Sequence, residues 1–100
     1  MAVYYLGANL RVEVPLSNAS TYTIAPPSST AVYRVINVED PKIKAEATWN
    51  GTTTVVSWIQ GESVSDQDVA DKMCVYTSGG NLLLKNNLGS DKNFVVFREI

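Results

Sequence analysis

The sequence predicts a mainly β fold, an antiparallel β-sandwich or small barrel of about 7–8 short strands with one short α-helix over residues 65–73. Three observations carry the prediction. Lys42 to Trp49 alternates polar and apolar side chains without a break, the period of a strand with one buried face. Short runs rich in β-branched and aromatic residues recur along the chain, separated by Gly, Pro, Asn, Asp and Ser at spacings of roughly ten residues. Only Ser65-Asp66-Gln67-Asp68 reads as a helix start.

Taken in order, Val3 to Leu6 forms a short strand broken at Gly7. Leu10 to Val14 is a stronger one, with Leu10, Val12 and Val14 on one face, Arg11 and Glu13 on the other, and Pro15 as its stop. Leu16 to Ser20 is a polar connection and Tyr22 to Ile24 a short strand. Ala25-Pro26-Pro27-Ser28-Ser29 cannot join a central ladder and is the candidate exposed arm. Thr30 to Val38 is apolar on both faces apart from Arg34 and Asn37, the pattern of a central strand, and Glu39-Asp40-Pro41 turns the chain into a hairpin.

That hairpin has Asn50-Gly51 at its tip, a dipeptide suited to the two positive φ angles of a type I′ turn, and Thr52 to Ile59 as its return strand. A two-residue loop sets Trp49 opposite Thr52, Ala47 opposite Thr54, Ala45 opposite Val56 and Ile43 opposite Trp58 on the core face. The outer face then pairs Thr48 with Thr53, Glu46 with Val55, Lys44 with Ser57 and Lys42 with Ile59. In the predicted helix Ser65 is the N-cap, Asp66 and Asp68 favour the positive end of the helix dipole, and Val69 and Met73 share a face. Cys74 to Thr77 and Leu82 to Lys85 form a second hairpin through Ser78-Gly79-Gly80-Asn81. A polar loop, Asn86 to Lys92, leads to a last strand, Asn93 to Ile100, apolar on both faces from Phe94 to Phe97.

At 100 residues the chain reads as one domain, 1–100, able to bury a core without metals or disulfides. It is 45% hydrophobic and only 18% charged, a modest charge deficit that suits a protein partly covered by a partner. A net charge of −2 and scattered basic residues argue against nucleic-acid binding. No apolar run reaches the roughly 20 residues of a membrane span, and the N-terminus lacks the basic start and apolar core of a secretion signal. The expectation is a protein made in the cytoplasm and not secreted. Cys74 is the single cysteine, so no internal disulfide forms, and Met73 and Val75 beside it suggest a buried, inert thiol.

The inventory for chemistry is sparse, and the expectation is a protein that is not an enzyme and needs no cofactor. Without histidine the chain lacks the commonest general base and transition-metal ligand. Glu62, Asp66, Asp68 and Asp71 make the carboxylate cluster most open to a hard cation, but it has neither the turn glycine nor the closing bidentate glutamate of a calcium loop. Asp66 and Asp68 are read instead as first-turn helix residues. Trp49 and Trp58 face inward in the two-residue register and belong to the core. The interface candidates are Val55 and Ile59 on the outer face of the hairpin, Phe94 and Phe97 on the last strand, and Pro26 and Pro27 in the exposed loop. One core cannot hide both faces of these strands, so the surplus apolar surface belongs at a contact between chains.

Ala47-Thr48-Trp49-Asn50-Gly51-Thr52-Thr53 and Val75-Tyr76-Thr77-Ser78-Gly79 resemble short stretches of the capsid decoration proteins of tailed phages. That resemblance implies a small β-rich virion protein that reinforces a phage head as an oligomer, and it transfers no residue roles. Composition and resemblance lead to one expectation: a structural or adaptor subunit that self-associates or docks on a larger assembly. The alternative is a soluble β-sandwich module that binds a ligand such as a carbohydrate.

Overall fold

The computed structural model describes residues 11–25, 31–49, 54–60 and 63–99. They form β1 (Arg11–Leu16), β2 (Thr21–Ala25), β3 (Ala31–Asn37), β4 (Lys44–Trp49), β5 (Thr54–Gln60), β6 (Val64–Ser65), β7 (Met73–Ser78), β8 (Asn81–Asn86) and β9 (Lys92–Glu99). One sheet has the order β1-β9-β3-β4-β5 and is antiparallel throughout. The other has the order β2-β8-β7-β6, antiparallel except for the two-residue parallel contact of β6 with β7.

A single core joins the two sheets. The five-stranded sheet contributes Val14, Tyr33, Val35, Ala45, Ala47, Phe94 and Val96, and the four-stranded sheet contributes Ile24, Met73, Val75, Leu82 and Leu84. The layers therefore pack face to face as a sandwich. Alternation explains each contribution, since Val12 and Val14 turn inward on β1 while Arg11 and Glu13 turn outward. β3 is the central strand of its sheet, as its two-sided apolar pattern predicts.

Four expectations are corrected. No helix forms over 65–73: Ser65 ends β6, the chain crosses 66–72 without helical structure, and β7 begins at Met73. The Ser65 hydroxyl does accept a hydrogen bond from the Gln67 amide at 3.1 Å, as a cap would. The bond closes a local turn instead, because Asp71 takes a left-handed φ of 65° and Asp68 is drawn sideways to Lys85 and Asn87. Pro15 does not stop β1, which runs to Leu16. As an edge strand it needs no amide donor on its outer side.

The β4–β5 hairpin has a different register. Trp49 pairs with Thr54 instead of Thr52, and a shift between Glu46 and Thr48 then sets Ala45 opposite Ile59 and Glu46 opposite Trp58. The shift moves the pairing between the two strands by one residue. The two-glycine turn occurs in the β7–β8 hairpin, where Ser78 pairs with Asn81 and Gly79 and Gly80 have φ of 60° and 81°. The fourth correction concerns Phe94, which is fully buried in the core and cannot meet another chain.

Candidate functional site

The outer face of the five-stranded sheet is built from the residues that alternation turns away from the core. Strand pairing lines them up in rows running across the sheet. Arg11 on β1 stands beside Phe97 on β9, Arg34 on β3 and Glu46 on β4. The next row holds Glu13, Val95, Ile36 and Lys44 on the same four strands. Pro15 and Asn93 begin a third row that Val38 extends through its amide bond to the Asn93 carbonyl at 2.9 Å. Among the described residues every strand belongs to one of the two sheets, so no strand forms a third layer over this face.

The face is apolar in the middle and charged at its margins. Val32, Ile36 and Phe97 are half-buried, Val95 is buried by its neighbours, and Val38 is 50% exposed. Arg11 Nη1 lies 3.2 Å from Glu13 Oε2, with its guanidinium carbon 6.0 Å from the centre of the Phe97 ring. Arg34 Nε donates to Glu46 Oε2 at 2.9 Å. Glu39 closes one end of the sheet, where Oε2 accepts the Asn93 amide at 2.9 Å and Oε1 sits 4.0 Å from Lys92 Nζ. Half-exposed apolar side chains framed by both signs of charge suit contact with another protein surface.

A second polar assembly lies on the four-stranded sheet. Its loop 66–72 is held down by Asp68, which accepts hydrogen bonds from Lys85 Nζ at 2.9 Å and Asn87 Nδ2 at 2.8 Å. Asn87 also donates to the Val69 carbonyl at 2.9 Å, and Cys74, fully buried, donates its thiol to the same carbonyl at 3.4 Å. The Lys85 hydrogen bond, aided by that of Asn87, holds the Asp68 carboxyl below the usual range, and the same contact raises Lys85. Burial raises the hydroxyls of Tyr76 and Tyr22. A shallow cleft of about 400 Å³ opens beside this loop between Asn18, Asp68, Asp71, Asn87 and Gly89. Its polar groups tie loops together: Asn18 Oδ1 accepts the Gly89 amide and the Asn18 amide donates to Asp91.

The residues singled out in the sequence fall in different places. Phe97 lies on the outer face just described and Phe94 lies in the core. Val55 and Ile59 lie on β5, described only by its backbone. There Val55 stands opposite Thr48 and Ile59 opposite Ala45. Pro26, Pro27 and Glu62 lie outside the described residues, and so do Asn50 and Gly51. Of the carboxylate cluster, Asp68 is taken up by Lys85 and Asn87. Among the described residues no three His, Cys, Asp or Glu side chains converge as a metal would need. Sequence reasoning missed Arg11, Glu13, Arg34, Lys44 and Glu46 as members of one surface. Their signal was the polar half of each alternating strand, which does not say which strands become neighbours. Compared with known protein families, characterised proteins and solved structures, the chain matches none.

Proposed function

We propose that this chain is a non-enzymatic structural or adaptor subunit that self-associates or docks on a larger assembly, the role that the small structural proteins of tailed-phage particles play. The observation that supports it is the outer face of the five-stranded sheet, where Val32, Ile36, Val38 and Phe97 keep partial exposure between Arg11, Glu13, Arg34, Lys44 and Glu46. A surface of this mixture gains by covering its apolar centre while its charges select the partner. The chemistry available favours the same reading, since the chain has no histidine and the Asp68 carboxylate is occupied by structural contacts.

Light scattering coupled to size-exclusion chromatography tests self-association over concentrations from about 1 to several hundred micromolar, the range that covers weak interfaces. The expected result is a mass that rises above the 10.9 kDa of one chain as concentration increases. A mass fixed at one chain throughout, together with a melting temperature raised by an added oligosaccharide, would favour the ligand-binding module instead.

A further inference from the structure

The charges on the outer face of the five-stranded sheet have an order of their own. In one row Arg11 stands on β1 and Glu46 on β4, with Phe97 and Arg34 between them. In the next Glu13 stands on β1 and Lys44 on β4, with Val95 and Ile36 between them. Sign therefore reverses both along the strands and across the sheet. A surface with that pattern is complementary to a rotated copy of itself.

We infer that this face is a two-fold interface between copies of the chain, stacked sheet on sheet, with the axis parallel to the strands and passing between β9 and β3. The inference rests on the self-association proposed above and names its surface. Rotation about this axis sets β1 over the second copy's β4, and β9 over its β3. Arg11 then meets Glu46 and Glu13 meets Lys44, so both margins pair opposite charges. In the middle Val95 meets Ile36, apolar on apolar, and Phe97 meets the Arg34 guanidinium, a cation against an aromatic face. Aligned sheets that pack through their side chains cross at about 30°, which a two-fold axis along the strands accommodates.

A rival axis running across the strands between the two rows also pairs the margins, Arg11 with Glu13 and Glu46 with Lys44. It sets the Arg34 guanidinium against Ile36 instead of the Phe97 ring and so gives up the contact of cation with aromatic face, and the axis along the strands is preferred. The patch is about 19 Å wide over four strands and about 20 Å long, which gives roughly 400 Å² per copy and roughly 800 Å² in all. That is below the size of a stable, permanent dimer and fits a weak complex that builds up at high local concentration, as on an assembly surface.

Charge reversal across the margin tests this directly on the full chain. Within one copy Glu13 and Lys44 are three strand spacings apart, about 14 Å, which exceeds the screening length of about 8 Å at 0.15 M salt. Any coupling between them in association therefore arises between copies. By sedimentation equilibrium in 0.15 M salt, Glu13→Lys and Lys44→Glu should each weaken the dimer about tenfold, and the double variant should return to within about threefold of the parent. Arg11→Glu with Glu46→Arg reads the other margin in the same way and serves where a variant of the first pair fails to fold. A parent that associates while neither double variant recovers overturns this face and leaves self-association standing. A parent that stays monomeric at several hundred micromolar overturns self-association itself, and this face with it.

Discussion

Asn37 and Asn86 are the two buried polar side chains among the described residues, and each organises a chain reversal. Asn37 Oδ1 accepts the amides of Glu39 at 2.9 Å and Asp40 at 3.2 Å, which turns β3 toward β4. Asn86 Nδ2 donates to the carbonyls of Leu16 and Ser90, and its Oδ1 accepts the Leu88 amide, so one residue ties the ends of β1 and β8 to the loop before β9. Asp68 acts similarly at the surface, and its protonation carries a prediction. Its folded pKa lies below the unfolded value, chiefly through the hydrogen bond from Lys85, so its contribution is present above about pH 4 and is lost as pH falls through the folded value. Lys85 is shifted upward by the same bond, and its contribution holds below its unfolded pKa and fades only as pH rises through the folded one. Urea unfolding of the parent and Asp68→Asn at pH 7 and pH 3 should show the parent losing more stability in acid than the variant. Equal losses would mean that the pair does not fasten loop 66–72. The sequence marks all three residues as polar, but Leu16, which Asn86 reaches, and Lys85, which Asp68 reaches, lie far along the chain, where local spacing does not extend.

At the scale of elements, the β7–β8 hairpin shows what local chemistry can dictate. Two successive glycines with positive φ match the twist of an antiparallel pair, and the strands on either side begin immediately, at Ser78 and Asn81. A Cβ on Gly79 would meet nothing within 4 Å, so any loss on substitution there is conformational and not steric crowding. Gly79→Ala should lower stability by about 1 kcal/mol and Gly79→Asn by less, since asparagine tolerates the left-handed region. Thermal denaturation of both variants checks the order, and equal melting temperatures for parent and Gly79→Ala would refute the turn's dependence on glycine. Loop 66–72 shows the opposite case. Its cap-like serine and early aspartates make a helix start locally, yet Asp68 gains two hydrogen bonds by reaching the sheet, and Asn87 satisfies the Val69 carbonyl that a helix would have used.

At the scale of the whole molecule, the inner and outer faces of the five-stranded sheet obey different rules. The inner face is filled from both sheets, with Ala45 and Ala47 giving the small volumes that let the layers approach. Ala45→Leu should therefore destabilise by about 1–3 kcal/mol through overpacking, while Lys44→Leu, one residue away on the outer face, should change the stability of the isolated subunit by less than about 1 kcal/mol. Denaturant midpoints of the two variants decide between the faces, and equal tolerance would mean that the assignment of inside and outside on β4 is wrong. On β9 each face carries one phenylalanine and one valine: Phe94 and Val96 close the core, and Val95 and Phe97 lie on the outer face. The two-sided apolar pattern of this strand reflects a central position in its sheet, between β1 and β3.

What the sequence determined by itself was local. Period-two alternation assigns a face to each residue of β1 and β4 because successive side chains on a strand must point opposite ways, and Gly79-Gly80 sets a tight turn because other residues resist positive φ. Composition likewise marks the chain as β-rich and globular, with little catalytic inventory. The tertiary structure decided what depends on partners distant in the chain: that β9 inserts between β1 and β3, that the β4–β5 register slips at Glu46, and that 66–72 is pinned as a loop. It also decided the order of Arg11, Phe97, Arg34 and Glu46 in a single row. Alternation turned Arg11 and Glu46 outward, but it gave Arg34 and Phe97 no face, and a row across four strands exists only once their ladders are paired, a pairing selected by burial of the opposite face.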